Sequence, residues 1–234
     1  MSLQTQIRKY VRTYPQWRFD LPRVESTRQL EHFGTEYGGY HLDASLLHCD
    51  SVIYSVGIGE DISFDRALIE QFGVQVEAFD PTPKVKDWLA GQILPQQFHF
   101  HDHGIADFDG EAVFYLPARA YWVSHSLVAT PQFSRKSRQV SMKRLKTVMQ
   151  ELGHRVIDVL KMDVEGAEYG VLEDMLREKI PVRQLLVEFH HRFSVIGTQK
   201  TRRVLARLQE SGMRICHVCP RIEVFTLIHS SNES

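Results

Sequence analysis

The sequence predicts an α/β protein of three layers, in which helices cover both faces of a mostly parallel sheet. Short apolar runs alternate with stretches of helical spacing between Ser51 and Gly212. Such alternation is typical of right-handed βαβ units. The first apolar run ends at a turn with two glycines, and the next ends at an aspartate, as expected of strands that end at a ligand-binding edge.

Length and composition indicate a globular protein. The chain has 234 residues, of which 43% are hydrophobic and 24% charged, so it can bury a core without disulfides. With 28 basic and 29 acidic residues, the formal net charge is -1. We therefore expect no general attraction to nucleic acid or to a membrane surface. The sequence does not predict an oligomeric state.

The three cysteines and the first twenty residues favour the cytoplasm. An odd, small number of cysteines is typical of a reducing compartment. Cys216 and Cys219 have a CxxC spacing, but they lie in an apolar alternating run, so we interpret them as strand cysteines rather than a redox or zinc site. No apolar segment suits a secretory signal or a membrane span.

Three regions are predicted along the chain. Residues 1–48 form an N-terminal arm or cap, in which Gly34, Gly38 and Gly39 mark loops or a short hairpin. Residues 49–229 form the main domain. Residues 230–234 form a flexible tail, because they are polar and terminal.

The apolar runs of the main domain predict seven strands. Five are of the buried, parallel type, and the last two are expected to be antiparallel around Pro220. The predicted strands are 52–56, 74–79, 98–100, 156–162, 185–189, 213–218 and 223–228.

Helical spacing predicts five helices, three of which end at Gly73, Gly153 and Gly212. A hairpin is predicted where 105–107 and 111–116 flank Asp109-Gly110. The predicted helices are 62–72, 83–89, 142–152, 167–177 and 201–209.

The turn after the first strand indicates a nucleoside ligand. Gly57 and Gly59 allow backbone N–H groups to approach a ligand closely. Asp80 ends the second strand, 21 residues after Gly59, where a carboxylate can accept hydrogen bonds from ribose hydroxyls. We therefore predict that Gly57, Gly59 and Asp80 bind the cofactor.

The residues after this turn favour S-adenosylmethionine over NAD. The dinucleotide fingerprint has Gly or Ala where this chain has Ile62. Glu60 and Asp61 stand at the helix start, where they would repel a pyrophosphate. S-adenosylmethionine has no phosphate and carries an ammonium and a sulfonium, which acidic neighbours favour. Glu60 is therefore a predicted cofactor contact; the alternative is that Glu60 and Asp61 only complement the helix dipole.

Two later segments resemble a known family. Leu160-Lys161-Met162-Asp163-Val164-Glu165-Gly166-Ala167-Glu168 and Leu186-Val187-Glu188-Phe189-His190 are similar to the signature segments of FkbM-type methyltransferases. The hairpin predicted at Asp109-Gly110 also resembles that family. The resemblance covers roughly residues 50–230. One departure is the first turn, Ser-Val-Gly-Ile-Gly-Glu-Asp, where many members have an Asp-Val-Gly-Ala-Asn-type turn.

The resemblance implies a Rossmann-like class I methyltransferase fold, with a seven-stranded sheet of order 3-2-1-4-5-7-6 and an antiparallel last strand. It also implies S-adenosylmethionine as cofactor and O-methylation of a small hydroxylated or sugar-like acceptor. Two alternatives stay open on the residues alone. One is a non-catalytic nucleoside-binding domain that keeps the fold, and the other is an NAD-type oxidoreductase.

The ends of the fourth and fifth strands are the predicted catalytic centre. Asp163, Glu188 and His190 should meet there, since neighbouring parallel strands end at one edge. Asp163 can hold the methionine ammonium or face the acceptor. His190 is the preferred general base, because its unperturbed pKa is near neutrality. Alternatively these three side chains hold a divalent cation. Glu188 is also a candidate ion-pair partner for the buried Lys161.

Further candidates lie between the third and fourth strands. Gly104 and Ile105 are predicted to line the adenine pocket. His99, His101 and His103 alternate, which indicates either a metal cluster or, as we prefer, a strand end near that pocket. The polar-aromatic loop predicted to bind the acceptor contains Trp122, Ser124 and His125.

Overall fold

A computed structural model describes residues 22–26, 28–117 and 133–232. The strands are β1 Glu31–Phe33, β2 Tyr40–Leu42, β3 Val52–Val56, β4 Gln75–Phe79, β5 Phe98–His101, β6 Gly104–Ala106, β7 Gly110–Pro117, β8 Phe133–Arg144, β9 Ile157–Met162, β10 Val182–Glu188, β11 Met213–Val218 and β12 Val224–His229. The α-helices are α1 Ser63–Phe72, α2 Pro83–Leu89, α3 Leu145–Leu152, α4 Glu168–Arg177 and α5 Thr198–Glu210. Short 3₁₀ turns cover Ala44–Leu46 and Ser230–Asn232.

Seven of these strands form one sheet, in the order β5-β4-β3-β9-β10-β12-β11. Counted along the chain within this sheet, the order is 3-2-1-4-5-7-6, which confirms the expectation. The pairs β3–β4, β4–β5, β3–β9 and β9–β10 are parallel. β12 runs antiparallel to both β10 and β11. The carboxyl ends of β3 and β9 therefore meet at one edge of the sheet, where the strand order reverses.

Alternate side chains of each strand enter two apolar cores. Ile53 belongs to the core that contains α1, α2 and the hairpin β1–β2, whereas the next residue, Tyr54, belongs to the core that contains α3, α4 and α5. This alternation follows from the period-two geometry of a strand. The three-layer α/β architecture is thereby confirmed. α1 ends where expected, because Gly73 takes the left-handed conformation.

The predicted hairpin around Asp109-Gly110 is wrong. β8 lies between β6 and β7, parallel to the first and antiparallel to the second, so these two do not pair with each other. The helix predicted from Met142 begins only at Leu145, since β8 continues to Arg144. In β8, Val140 and Met142 are buried while Ser141 is exposed, which is the period-two pattern of a strand.

The described part of the N-terminal region packs on the sheet. β1 and β2 form the short antiparallel hairpin that the glycines indicated. The Asp43 backbone N–H donates to Gln184 Oε1 at 2.9 Å, and the Glu25 N–H donates to the Ile215 carbonyl at 2.7 Å. The division of the chain at residue 48 stays a prediction. Within the described ranges, no helix has both the length and the apolar character needed to cross a membrane.

Candidate functional site

A cavity of about 890 Å³ opens at the carboxyl ends of β3, β4, β9 and β10. This volume is in the range of small-molecule and cofactor sites. Every residue predicted to bind the cofactor lines it, namely Gly57, Gly59, Glu60, Asp80, Gly104, Ile105 and Asp163.

The turn at Gly57 is built by contacts that require glycine. Gly57 has a φ of 73°, and a Cβ there would come within 1.8 Å of the Asp163 carbonyl oxygen. Its N–H donates to the Phe79 carbonyl at 2.9 Å. On the other side, Lys161 Nζ donates to the Gly57 carbonyl at 2.5 Å. The buried ammonium of Lys161 therefore supports the turn, and its hydrogen bond goes to the Gly57 carbonyl rather than to Glu188, the candidate ion-pair partner.

Asp80 links the second strand to this turn. One carboxylate oxygen accepts from the Gly59 N–H at 3.1 Å, and the other accepts from the Thr82 N–H at 2.9 Å. Each oxygen keeps a second lone pair. The Asp80 carboxylate is thus oriented by the backbone and can still accept two hydroxyl hydrogens from a ribose.

The acidic residues after the turn have separate partners. Glu60 forms an ion pair with Lys84 at 3.2 Å. Asp61 accepts from the Ser63 N–H at 2.8 Å and so satisfies a free N–H at the start of α1. Both carboxylates line the cavity, which adds negative charge beside the turn.

Asp163 and Glu188 face the cavity from the ends of β9 and β10. Burial raises the pKa of Asp163, and the Glu188 carboxylate raises it further, to about 7. The charges of His190 and Lys161 act in the opposite direction. Asp163 is therefore a carboxylate that exchanges a proton near neutral pH, with about a third of its side chain accessible.

His190 lies behind these carboxylates and is 0% exposed. Its Nε2 is 3.3 Å from Glu165 Oε2 and 3.5 Å from Asp163 Oδ1, and its Nδ1 is 3.4 Å from Glu168 Oε1. Burial alone lowers the pKa of a histidine, but the carboxylates of Glu168, Asp163 and Glu165 outweigh it and raise the pKa of His190 to about 9. A buried, protonated imidazole cannot take a proton from an acceptor, so the general-base role expected for His190 does not fit this structure.

Glu168 joins the two segments that carry the family resemblance. Its carboxylate is fully buried and accepts from the Gly166 N–H and from the His190 N–H, each at 2.8 Å. Glu165 precedes it with a φ of 48°, a left-handed conformation that is strained for a residue other than glycine.

A cation could be held by Asp163, Glu165 and His190, whose ligand atoms lie within 4.8 Å of one another. Glu188, which we predicted in place of Glu165, is 3.9 Å from His190 Nε2. A metal ligand must be a neutral imidazole, whereas the surrounding carboxylates favour the protonated ring. A cation bound here would therefore have to displace the proton that these carboxylates hold on the His190 ring.

The alternating histidines mark a strand end beside the cavity, as we preferred, since His101 ends β5 and its carbonyl accepts from the Asp80 N–H at 3.2 Å. His99 contacts Gln75 at 2.8 Å, and His101 contacts Glu77 at 2.6 Å, so these rings bind separate partners and form no metal cluster with His103. Trp122, Ser124 and His125 lie outside the described residues.

Several lining residues were missed by the sequence analysis. Tyr37 and Tyr40 enter from the hairpin β1–β2, which we had assigned to the arm. Arg192 and Glu223 line the side near β10 and β12, and they are 3.6 Å apart. Their spacing in the sequence contains no signal of this contact, because it depends on the antiparallel pairing of β12.

The chain is similar to known methyltransferase-like proteins. Probable methyltransferase-like protein 24 from Homo sapiens is 29% identical over 175 residues, and its counterpart from Rattus norvegicus is 26% identical over 175 residues. Each match covers 70% of this chain, and the chain spans only 42% of the length of these relatives. The crystal structure of Methyltransferase FkbM from Methylobacillus flagellatus KT aligns with a TM-score of 0.50 at 13% identity. The alignment covers 97% of this chain and 58% of the FkbM chain, so the two proteins share a fold.

The family model described as the Methyltransferase FkbM domain matches residues 42–215. That match contains the glycine turn, Asp80, Asp163 and Glu188 within one stretch. The chain therefore belongs to the FkbM methyltransferase family.

Proposed function

We propose that this protein is an S-adenosylmethionine-dependent methyltransferase that methylates a hydroxyl group of a small or sugar-like acceptor. The observation that carries the proposal is that Asp80, oriented by the glycine turn, and Asp163, with a pKa of about 7, open into the same cavity.

The lining residues suit S-adenosylmethionine. Asp80 can accept the ribose hydroxyls, and Gly104 and Ile105 offer a close surface for the adenine. A Cβ on Gly104 would lie 2.7 Å from the Met142 side chain, so this wall is tightly packed. Toward the other end, Asp163 and Glu188 attract the ammonium group and the sulfonium. When bound, the cofactor supplies a methyl group on a positively charged sulfur.

Asp163 is the general base of this proposal. A base works best when its pKa is near the working pH, and the Asp163 carboxylate meets this condition while facing the cavity. An acceptor hydroxyl that binds beside Asp163 can transfer its proton to this carboxylate as the hydroxyl oxygen attacks the methyl carbon. The cavity walls contribute by holding the reactants in line at short distance. His190 and Lys161 keep the proton affinity of Asp163 from rising further.

Calorimetric titration with S-adenosylmethionine tests the cofactor, and transfer of a labelled methyl group to sugars, polyols and phenols tests the reaction. We expect micromolar binding and label in at least one hydroxylated compound. Failure to bind S-adenosylmethionine contradicts the whole proposal. Binding with transfer only to nitrogen or sulfur acceptors contradicts the hydroxyl specificity.

A further inference from the structure

The loop between β1 and β2, residues 34–39, forms one rim of the cavity and is called the rim loop here. Glu36, Tyr37 and Gly38 line the cavity. All three precede residue 42, where the match to the family model begins. Part of the binding surface is therefore built by residues that the family comparison does not cover.

The rim loop is fastened to the start of α1, directly after the glycine turn. Thr35 Oγ1 donates to Asp61 Oδ2 at 2.7 Å and accepts from the Gly38 N–H at 3.0 Å. The Thr35 N–H donates to Ser63 Oγ at 2.9 Å. A Cβ on Gly38 would lie 2.6 Å from the Asp61 carboxylate, so the loop and the helix start are in close contact. These contacts hold the rim loop in a defined position relative to Gly59.

Tyr37 is the prominent side chain of the rim loop. It is 94% exposed although it is a large aromatic residue on the cavity wall. Tyr37 lines the same cavity as Asp163 and Glu188. Burial and the charges of these two carboxylates raise the pKa of the Tyr37 hydroxyl. An accessible aromatic face among carboxylates is the chemistry that binds an organic cation.

We propose that Tyr37 contacts the cofactor, packing its ring against the sulfonium end, and that Thr35 is the positioning residue that keeps Tyr37 there. This inference rests on the proposed function, because the sulfonium belongs to S-adenosylmethionine. It predicts that Tyr37 distinguishes the positively charged S-adenosylmethionine from S-adenosylhomocysteine, which is neutral at sulfur.

The test compares the dissociation constants of the two compounds by calorimetry, using the full chain. Tyr37→Leu is expected to weaken the binding of S-adenosylmethionine roughly tenfold, because the cation–π contact is lost. The same variant should change S-adenosylhomocysteine binding less than about twofold, and Tyr37→Phe should bind both as the unchanged protein does. Ile93→Ala is the matched control, because Ile93 is an equally exposed apolar residue, at 90%, away from the cavity lining.

The positioning role has its own pair of variants. Thr35→Val removes the hydroxyl that contacts Asp61, and it should weaken S-adenosylmethionine roughly threefold to tenfold. Thr147→Val removes a comparable exposed hydrogen bond, from Thr147 Oγ1 to Asp109 Oδ2 at 2.9 Å, outside the cavity. Thr147→Val should leave both affinities unchanged. Equal binding by Thr35→Val and the unchanged protein would overturn the role of Thr35.

Two results separate this inference from the proposed function. If the unchanged protein binds both compounds and Tyr37→Leu weakens neither, or weakens both equally, the contact to the sulfonium is refuted and the proposed function stands. If the unchanged protein binds neither compound, the proposed function and the inference both fall.

Discussion

The Glu168 carboxylate accepts the backbone N–H of His190 at 2.8 Å and lies 3.4 Å from its ring nitrogen Nδ1. A buried acid at the start of α4 thereby holds His190, the second residue after β10. Because it also accepts the Gly166 N–H, the same carboxylate orders the loop after β9. The two resemblance segments form one unit through this side chain.

Glu168→Gln should lower the free energy of unfolding by about 2–4 kcal/mol. The amide would turn an NH₂ donor toward a backbone N–H, and it would remove a negative charge from beside a buried imidazolium. Urea unfolding measures the change. Glu173→Gln, on an exposed position of the same helix, should change it by less than about 0.5 kcal/mol. Equal effects of the two substitutions would contradict this account of Glu168.

Gly57→Ala should be far more disruptive than Gly73→Ala. Both glycines are left-handed, with φ values of 73° and 70°, and an alanine costs about 1–2 kcal/mol in either place. Of these two glycines, Gly57 also faces a collision, with the Asp163 carbonyl, whereas no atom of the described residues lies within 4 Å of a Cβ on Gly73. We expect urea unfolding to show that Gly57→Ala lowers the free energy of unfolding more than Gly73→Ala does. Calorimetry should show that Gly57→Ala no longer binds S-adenosylmethionine. Similar stabilities for the two variants would refute the collision.

Asp80→Asn should weaken the binding of S-adenosylmethionine roughly tenfold to hundredfold, because the hydrogen bonds between the charged carboxylate and the ribose are lost. The amide would also point a donor toward the N–H of either Gly59 or Thr82. Asp102→Asn is the control, since Asp102 is an exposed partner of Lys86 and does not line the cavity. Calorimetric affinities within twofold of each other for the two variants would exclude Asp80 from the cofactor site.

The pH dependence of turnover distinguishes Asp163 from His190 as the base. If Asp163 takes the proton, kcat/KM should rise with pH up to about 7 and then level, because only the ionised carboxylate is a base. His190→Gln removes a positive charge that lowers the pKa of Asp163, so the inflection should move to higher pH with turnover retained. The substrate for this measurement is the hydroxylated compound that takes up the labelled methyl group in the transfer experiment.

His101→Gln is the control for that profile, because His101 pairs with Glu77 and does not line the cavity. Its inflection should stay near pH 7. Loss of turnover at every pH in folded His190→Gln, checked by circular dichroism, would restore His190 as the base.

Asp65 makes stability depend on pH. It is 2% exposed, and burial raises its pKa to about 6 despite the charge of Lys161. A raised acid pKa favours the folded state at low pH, so stability is lost as pH rises from about 4 through 6. At pH values above 6, the free energy of unfolding is lower by about 3 kcal/mol than at pH 4. Asp65→Asn should therefore gain stability over the unchanged protein at pH 7.5 but little at pH 4, measured by urea unfolding. An equal difference at both pH values would contradict the assignment.

The order of elements was predictable because its signals are local. Gly73 ends a helix by its own backbone freedom, and Val52–Val56 is apolar enough to be a central strand by itself. β8 was not predictable in the same way, since it is a largely polar strand whose pairing with β6 and β7 joins residues 16 to 38 positions apart. Among the side chains of β8 that the structure describes, the buried Val140 and Met142 mark the part that joins a core.

The glycine turn, Asp80, Asp163 and Glu188 were located from the sequence, because parallel strands end at one edge and ligands bind there. The tertiary structure alone decided the surroundings of each group. His190 is neutral near pH 7 in water, yet three carboxylates from α4 and the loop before it keep a proton on the buried ring. Tyr37 reaches the cavity only because β1 pairs with β2 and Thr35 contacts Asp61. Proton affinity and access depend on distances between distant residues, and these distances are set by packing rather than by neighbours in the chain.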